Sequence, residues 1–233
     1  MGNELITERE FDSREAASLA AAEYIGTALA TQLEAQSSAA LIVGGGTSPV
    51  QCFKALANTD IGWPRVQVLL SDERWVSPQD DDSNEKLIRQ NLLQESAKDA
   101  QLLAMFDASA SIEQQCETVQ KAIVSQSTKF SCAFLGMGED GHFASLFPDA
   151  ENLDEGLDYD GASYCIPVKT AASPHMRMSL TMAALLQSES ILLLIFGEKK
   201  REVYEQAKRD PDAYPVSRLM AQTRVPVHVF WAS

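Results

Sequence analysis

Apolar residues fall into two alternating patterns along the chain. Short aliphatic runs are separated by longer Ala-rich or amphipathic stretches. That alternation is the mark of an α/β fold. The runs at 39–43, 66–71, 130–135, 164–168, 191–196 and 225–230 read as strands of one sheet. Helices are predicted from a cap near Asp12-Ser13-Arg14-Glu15 to about Ala35, and over 49–57, 83–95, 111–125, 179–187 and 198–208. The acid-x-x-Glu spacing at residues 12–15 resembles a capping box. Asp82 and Glu85 are placed to cap the helix at 83–95. The stretch 149–162, rich in Asp, Glu and Gly, carries neither periodicity and reads as a surface excursion. No internal repeat is visible, so the expectation is one domain over 1–233.

Composition narrows the class. Of the 233 residues, 45% are hydrophobic, which suits a packed core and argues against disorder. The aliphatic run 191–196 is too short to cross a bilayer. Residues 1–10 mix charges without an apolar segment, so no secretory signal is expected. The four cysteines, Cys52, Cys116, Cys132 and Cys165, show no C-x-x-C pairing and no metal-ligand spacing. They read as reduced thiols of a cytoplasmic protein. The net charge of -14 speaks against nucleic acid or an anionic membrane as partner. It leaves room for a small anionic substrate, provided specific Arg, Lys and backbone N–H groups grip it.

Three loops at predicted strand ends carry the candidate chemistry, because open α/β sheets bind ligands there. Gly44-Gly45-Gly46-Thr47-Ser48-Pro49 lets backbone approach a ligand. Thr47 or Ser48 can cap the next helix, Pro49 suits its first position, and the helix start favours an anion. No Gly-Lys-Ser/Thr follows, so it is not a Walker A loop. In Ser71-Asp72-Glu73-Arg74-Trp75-Val76, Arg74 offers a planar fork for phosphate or carboxylate. The run Asp80-Asp81-Asp82 reads as a solvated acidic loop rather than a metal site, since three consecutive side chains rarely converge on one ion. Gly136-Met137-Gly138-Glu139-Asp140-Gly141 fits G-x-G-x-x-G after a strand, but Pro148 cuts the following segment too short for a dinucleotide fold. What remains is a Gly-rich turn that mounts Asp140 and His142 at the sheet's ligand edge. Lys169, after the run 164–168, and Arg177, before the helix predicted at 179, add positive charge near the same rim. His228 reads as a strand residue, and His175 is left open.

Together and in order, these segments resemble the glucosamine-6-phosphate isomerase/6-phosphogluconolactonase family, and within it the lactone-hydrolysing branch. "LGMGEDGHFASLFP" is similar to the family's Gly-x-Gly-x-Asp-Gly-His-x-Ala-Ser-Leu-Phe-Pro signature. "SDERWV" followed by "DSN" resembles the second signature, and "RMSLTMAAL" an Arg-x-Thr/Ser-Leu-Thr segment. The resemblance implies a three-layer, modified Rossmann-like α/β fold with a mostly parallel central sheet, shared with glucosamine-6-phosphate deaminase and ribose-5-phosphate isomerase. It implies hydrolysis of a sugar-phosphate lactone without metal or cofactor. His142 then becomes the general base. Gly45, Gly46, Thr47 and Ser48 become the phosphate or substrate loop, with Arg74 and Arg177 as anion binders. The chain departs from the family in reading Gly44 where serine is usual and in lacking paired prolines before Arg177.

The chemistry suits those residues. Lactone opening needs a water deprotonated as it attacks the carbonyl, and an unperturbed imidazole titrates near ~6.5. Arg74, Lys169 or the Gly-rich turn can meet the developing oxyanion. Asp140 can orient His142; Asp72 and Glu73 are rival orienting acids. A six-membered lactone is an activated ester, so neither a metal nor a covalent nucleophile is required, and no G-x-S-x-G elbow is present. The rival readings are a glucosamine-6-phosphate deaminase, a non-catalytic sugar-phosphate sensor and, third, a nicotinamide-dependent dehydrogenase. The deaminases usually continue the Asp-Gly-His turn with Ala-Phe-Asn-Glu-Pro and carry Asp-Glu-Tyr where this chain has Asp72-Glu73-Arg74. A monomer and a small homo-oligomer are equally open.

Overall fold

A computed structural model describes residues 4–126 and 128–233. The first three residues of the N-terminal decapeptide lie outside the described residues. The chain starts with strand β1 (Ile6–Glu10), which the charged sequence did not announce. Helix α1 (Arg14–Ala35) is capped by Ser13, whose hydroxyl accepts from the Ala16 N–H at 3.1 Å. Asp12 is not the cap, and the predicted box with Glu15 is not the device used. Ala17, Ala21, Ile25, Leu29 and Leu33 recur at four-residue spacing and are buried, which is the stripe a helix needs to lie on a sheet.

Strand β2 (Ala39–Val43) is buried at every position, as expected where helices cover both faces of a parallel sheet. Helix α2 (Val50–Ala57) follows, then β3 (Val66–Leu70). The predicted strand at 66–71 ends one residue early, and the chain leaves the main sheet at Ser71 to form β4 (Asp72–Arg74). Helix α3 (Asn84–Asn91) is shorter than the predicted 83–95 and passes into a 3-10 turn at Glu95–Asp99. Its cap is Ser83, not Asp82 or Glu85. Then come β5 (Gln101–Leu103), α4 (Ile112–Ser125), β6 (Cys132–Leu135) and α5 (Leu153–Leu157), a short helix inside the predicted excursion.

The next segment departs most from expectation. Strand β7 (Cys165–Val168) lies outside the main sheet for which its aliphatic pattern reads, and the helix predicted over 179–187 is mostly absent. Instead, Arg177–Leu180 is strand β8, and only Met182–Leu185, capped by Thr181, is helical (α6). All four residues of β8 are buried; pairing on both edges overrides any helical preference. The strands β4, β8 and β7 make a separate antiparallel sheet in that order. The chain closes with β9 (Ile191–Phe196), α7 (Glu198–Arg209), α8 (Pro215–Ala221) and β10 (Val227–Ala232).

Among the described residues the main sheet has seven strands, all parallel, in the order β1-β10-β9-β6-β2-β3-β5, and helices flank it to make the expected three-layer α/β arrangement. From β2 the chain builds outward through β3 and β5. It then returns to the other side of β2 and builds through β6 and β9. The order therefore reverses between β2 and β6, and a crevice opens beyond their carboxyl ends. Backbone bonds brace that crevice: the Gly44 N–H donates to the Phe134 carbonyl and the Ser71 N–H to the Val43 carbonyl, both at 2.8 Å.

Candidate active site

The crevice holds a polar cleft of about 260 Å³. The loops after β2, β3 and β6 line it, with Arg177 from β8 and Lys200 from α7. Thus the three loops singled out in the sequence meet at one place.

The turn after β6 is drawn tight. The Gly138 N–H donates to the His142 carbonyl at 2.8 Å, and Gly141 takes φ +75°, a conformation that suits glycine. Gly138 needs its missing side chain for another reason: a Cβ there would stand 2.2 Å from His142 Nδ1. His142 Nδ1 lies 2.5 Å from Asp140 Oδ1, which also accepts the His142 N–H at 3.2 Å. The imidazole stacks on Phe147, with centroids 4.1 Å apart and planes 26° apart. Its side chain is 28% exposed, fixed on one side and open to the cleft on the other. Asp140 therefore contacts the ring, and the rival acids are occupied elsewhere.

Asp72 is one of those rivals. Its buried carboxylate accepts from Arg177 Nη2 at 3.0 Å, Ser145 Oγ at 2.6 Å and Ser71 Oγ at 2.9 Å. Burial alone would raise its pKa, but the Arg177 charge and the two hydroxyls outweigh it and hold the carboxyl below its ordinary value. Glu73 faces the other way and caps α3, accepting from the Asn84 N–H at 2.8 Å, the Glu85 N–H at 2.7 Å and the Arg74 N–H at 2.8 Å. Here burial prevails over those bonds and the pKa rises.

Arg74 lines the cleft. Its Nη1 donates to the Asp82 carbonyl at 2.5 Å, while its buried Nε has no partner. The acids of the 80–82 run diverge, as expected for a solvated loop. Asp80 accepts the Asp82 N–H, Asp81 pairs with Lys86 and Asp82 with His175, which gives that histidine a surface role. His228 is indeed a strand residue, its Nδ1 2.6 Å from Thr7 Oγ1.

Gly45, Gly46, Thr47 and Ser48 line the opposite wall. The helix starts one residue later than predicted: Pro49 is the N-cap of α2 and no side chain caps it. The hydroxyls of Thr47 and Ser48 are thereby left out of capping. Gly45 packs against Asn84, where a Cβ would fall 2.0 Å from Oδ1.

Two assignments change. Lys169 is exposed and does not line the cleft, because β7 belongs to the small sheet and its end leads toward the Asp149 loop, where Thr170 bonds Asp149. In its stead Lys200 lines the wall. Burial, reinforced by the Arg14 charge, holds its pKa below the ordinary lysine value, although Glu139 and Asp140 act the other way. The available signal was Gly197 at the end of an apolar run with a helix starting beyond it, the same strand-Gly-helix pattern as the first loop.

A cleft at the reversal point of a parallel sheet, with cations, a Gly-rich helix start and an acid-held imidazole, defines a class of enzyme acting on small anionic molecules. Comparison with known proteins narrows that class. The family described as glucosamine-6-phosphate isomerases/6-phosphogluconolactonase matches residues 12–231. A 6-phosphogluconolactonase of Caulobacter vibrioides is 36% identical, the match covering 95% of each chain. The crystal structure of a 6-phosphogluconolactonase from Shewanella baltica superposes with a TM-score of 0.94 at 32% identity over all of both chains. A monomeric glucosamine-6-phosphate deaminase shares the fold, with a TM-score of 0.80 at 17% identity, covering 97% of each chain. The chain belongs to the glucosamine-6-phosphate isomerase/6-phosphogluconolactonase family.

Proposed function

We propose that the chain hydrolyses 6-phospho-D-glucono-1,5-lactone to 6-phospho-D-gluconate, the lactone-opening step of the oxidative pentose phosphate route, with His142 as general base. The observation that carries the reading is the contact between His142 Nδ1 and Asp140 on the cleft wall. An Nδ1–H donated to Asp140 leaves Nε2 unprotonated and able to take a proton. A water gives up that proton as its oxygen bonds to the lactone carbonyl carbon. The resulting oxyanion is met by Arg74, whose Nε lacks an acceptor within the protein. Collapse breaks the bond from the carbonyl carbon to the ring oxygen, which takes the proton back from the imidazolium. The sugar's phosphate is held by the 44–48 loop and Lys200, with the start of α2 adding its partial positive charge. That remote anchor orients the ester. Arg177, tied to Asp72 and Ser145, serves as a fixed charge behind the site. We also propose a cytoplasmic location, which the four free thiols favour; no helix among the described residues is long and apolar enough to cross a membrane.

The test is a time course of lactone loss, corrected for spontaneous opening. His142→Ala is expected to lower kcat by roughly 10²–10⁴ with little change in KM. Near-normal turnover would remove His142 from the base role. Ammonia release from glucosamine 6-phosphate would instead support the deaminase reading; Arg74 and the Ala144-Ser145-Leu146-Phe147-Pro148 continuation of the turn favour the lactonase.

A further inference from the structure

Beyond Lys200 the cleft adjoins a second, more open compartment of about 750 Å³ between the starts of α1, α2 and α7. Thr47, Ser48 and Lys200 line both spaces. The new walls add Arg14 and Ser18, one turn apart on α1, and Lys54 on α2. In a chain with 19 basic against 33 acidic residues, three cations converge here. Neither Lys54 nor Lys200 is in a salt bridge with an acidic side chain among the described residues. The acid on the wall, Glu139, is held by Lys199.

The groups are also poised. Arg14 Nε donates to the Ser233 carbonyl at 3.0 Å, and its guanidinium lies 5.5 Å from the Phe196 ring centroid, which leaves both Nη groups available. Neither α2 nor α7 has a side-chain cap, since their N-caps are Pro49 and Gly197, so both helix starts present their partial positive charge uncapped by any side chain. Ser18 is the independent sign: it is 0% exposed, lines the compartment, and its Oγ has no hydrogen-bond partner. A fully buried hydroxyl without a partner is costly in a finished structure, and like charges converge stably only around a counter-ion.

We propose that this compartment is a second anion site, separate from the one that grips the substrate, and that it takes a phosphate or phosphomonoester dianion. The dianion is held by Arg14 and Lys54, with Ser18 donating its hydroxyl. It shares Lys200 with the catalytic cleft, so its occupancy reports on the same ammonium that anchors the substrate. The proposal rests on the functional reading above only in taking the first cleft as the substrate's.

Calorimetric titration with inorganic phosphate tests it, using the full chain with the catalytic cleft saturated by 6-phosphogluconate. One equivalent of phosphate is expected still to bind. Arg14→Gln and Lys54→Glu should each weaken that binding by about tenfold or more, the worth of one charge-assisted bond, and Lys54→Glu should leave lactone turnover unchanged. AMP titrated in parallel separates the sources: tighter AMP binding names an ester and tighter phosphate binding the free ion, and both support the site. Loss of all phosphate binding once the cleft is filled would overturn the proposal, as would wild-type affinity in Lys54→Glu, an exposed change that leaves the fold intact. If 6-phosphogluconate itself failed to bind, the functional reading would fall. The phosphate titration of wild type against Lys54→Glu would still decide the compartment.

Discussion

Asp140 reaches His142 across a single glycine, a geometry that adjacent residues seldom achieve. It works because Gly141 turns the backbone with positive φ and because Gly138 leaves the ring its space. Two outcomes follow at this scale. Asp140→Asn offers an amide that can donate to Nδ1 and favour the wrong tautomer; kcat should fall by on the order of 10²–10⁴ with KM nearly kept. Steady-state rates measure it, and a wild-type rate would leave His142 without an orienting acid. Gly138→Ala pushes a methyl into the imidazole, so turnover should drop at least about tenfold in protein whose circular dichroism is unaltered. Much of the residue-level picture was legible, because glycines, hydroxyls and a single histidine at strand ends have few other uses. Lys200 was not, since a lysine in a charged helix reads as a solvated one. Lys169 misled because sequence shows a strand's end without showing which sheet the strand joins.

The small sheet is where neighbouring acids part company. Asp72 and Glu73 point to opposite sides of β4, one to pair with Arg177 on β8 and one to cap α3. Asp72→Asn leaves a buried guanidinium without its counter-charge and should cost about 3–5 kcal/mol in urea unfolding. The two acids also titrate in opposite senses. Asp72 has a depressed pKa, so its stabilisation is full above the ordinary carboxylate range and is lost as pH falls through the lowered value. Glu73 has a raised pKa, so the folded state holds its proton longer than the unfolded chain does. Stability from this group therefore declines as pH climbs from the ordinary glutamate value to the raised one. Unfolding midpoints across that interval should fall less steeply in Glu73→Gln than in the parent. Strand β4 escaped the sequence reading for a physical reason: three charged residues become a strand only through a partner, β8, that lies a hundred positions away.

Over the whole molecule, the aliphatic runs identified most strands of the main sheet, but not their order, which depends on crossovers that leave no local trace. The edge strand β1 shows the consequence. It pairs with β10 at the edge of the sheet, and β10 and β9 separate it from β6 and β2, whose loops build the site. Deleting residues 1–10 should lower Tm by on the order of 5–10 °C and bare the edge of β10 to association. The lactone-opening rate per folded molecule should stay within about twofold, since the site is distant. Calorimetry, size-exclusion chromatography and active-site titration together would show whether stability and catalysis separate in this way.

The insertion of β10 between β9 and β1 has a bearing on biogenesis. Strand β1 finds its seat only when β10, synthesised much later, arrives. A growing polypeptide can assemble the middle strands while β1 waits undocked, and the emergence of β10 becomes the event that closes the sheet.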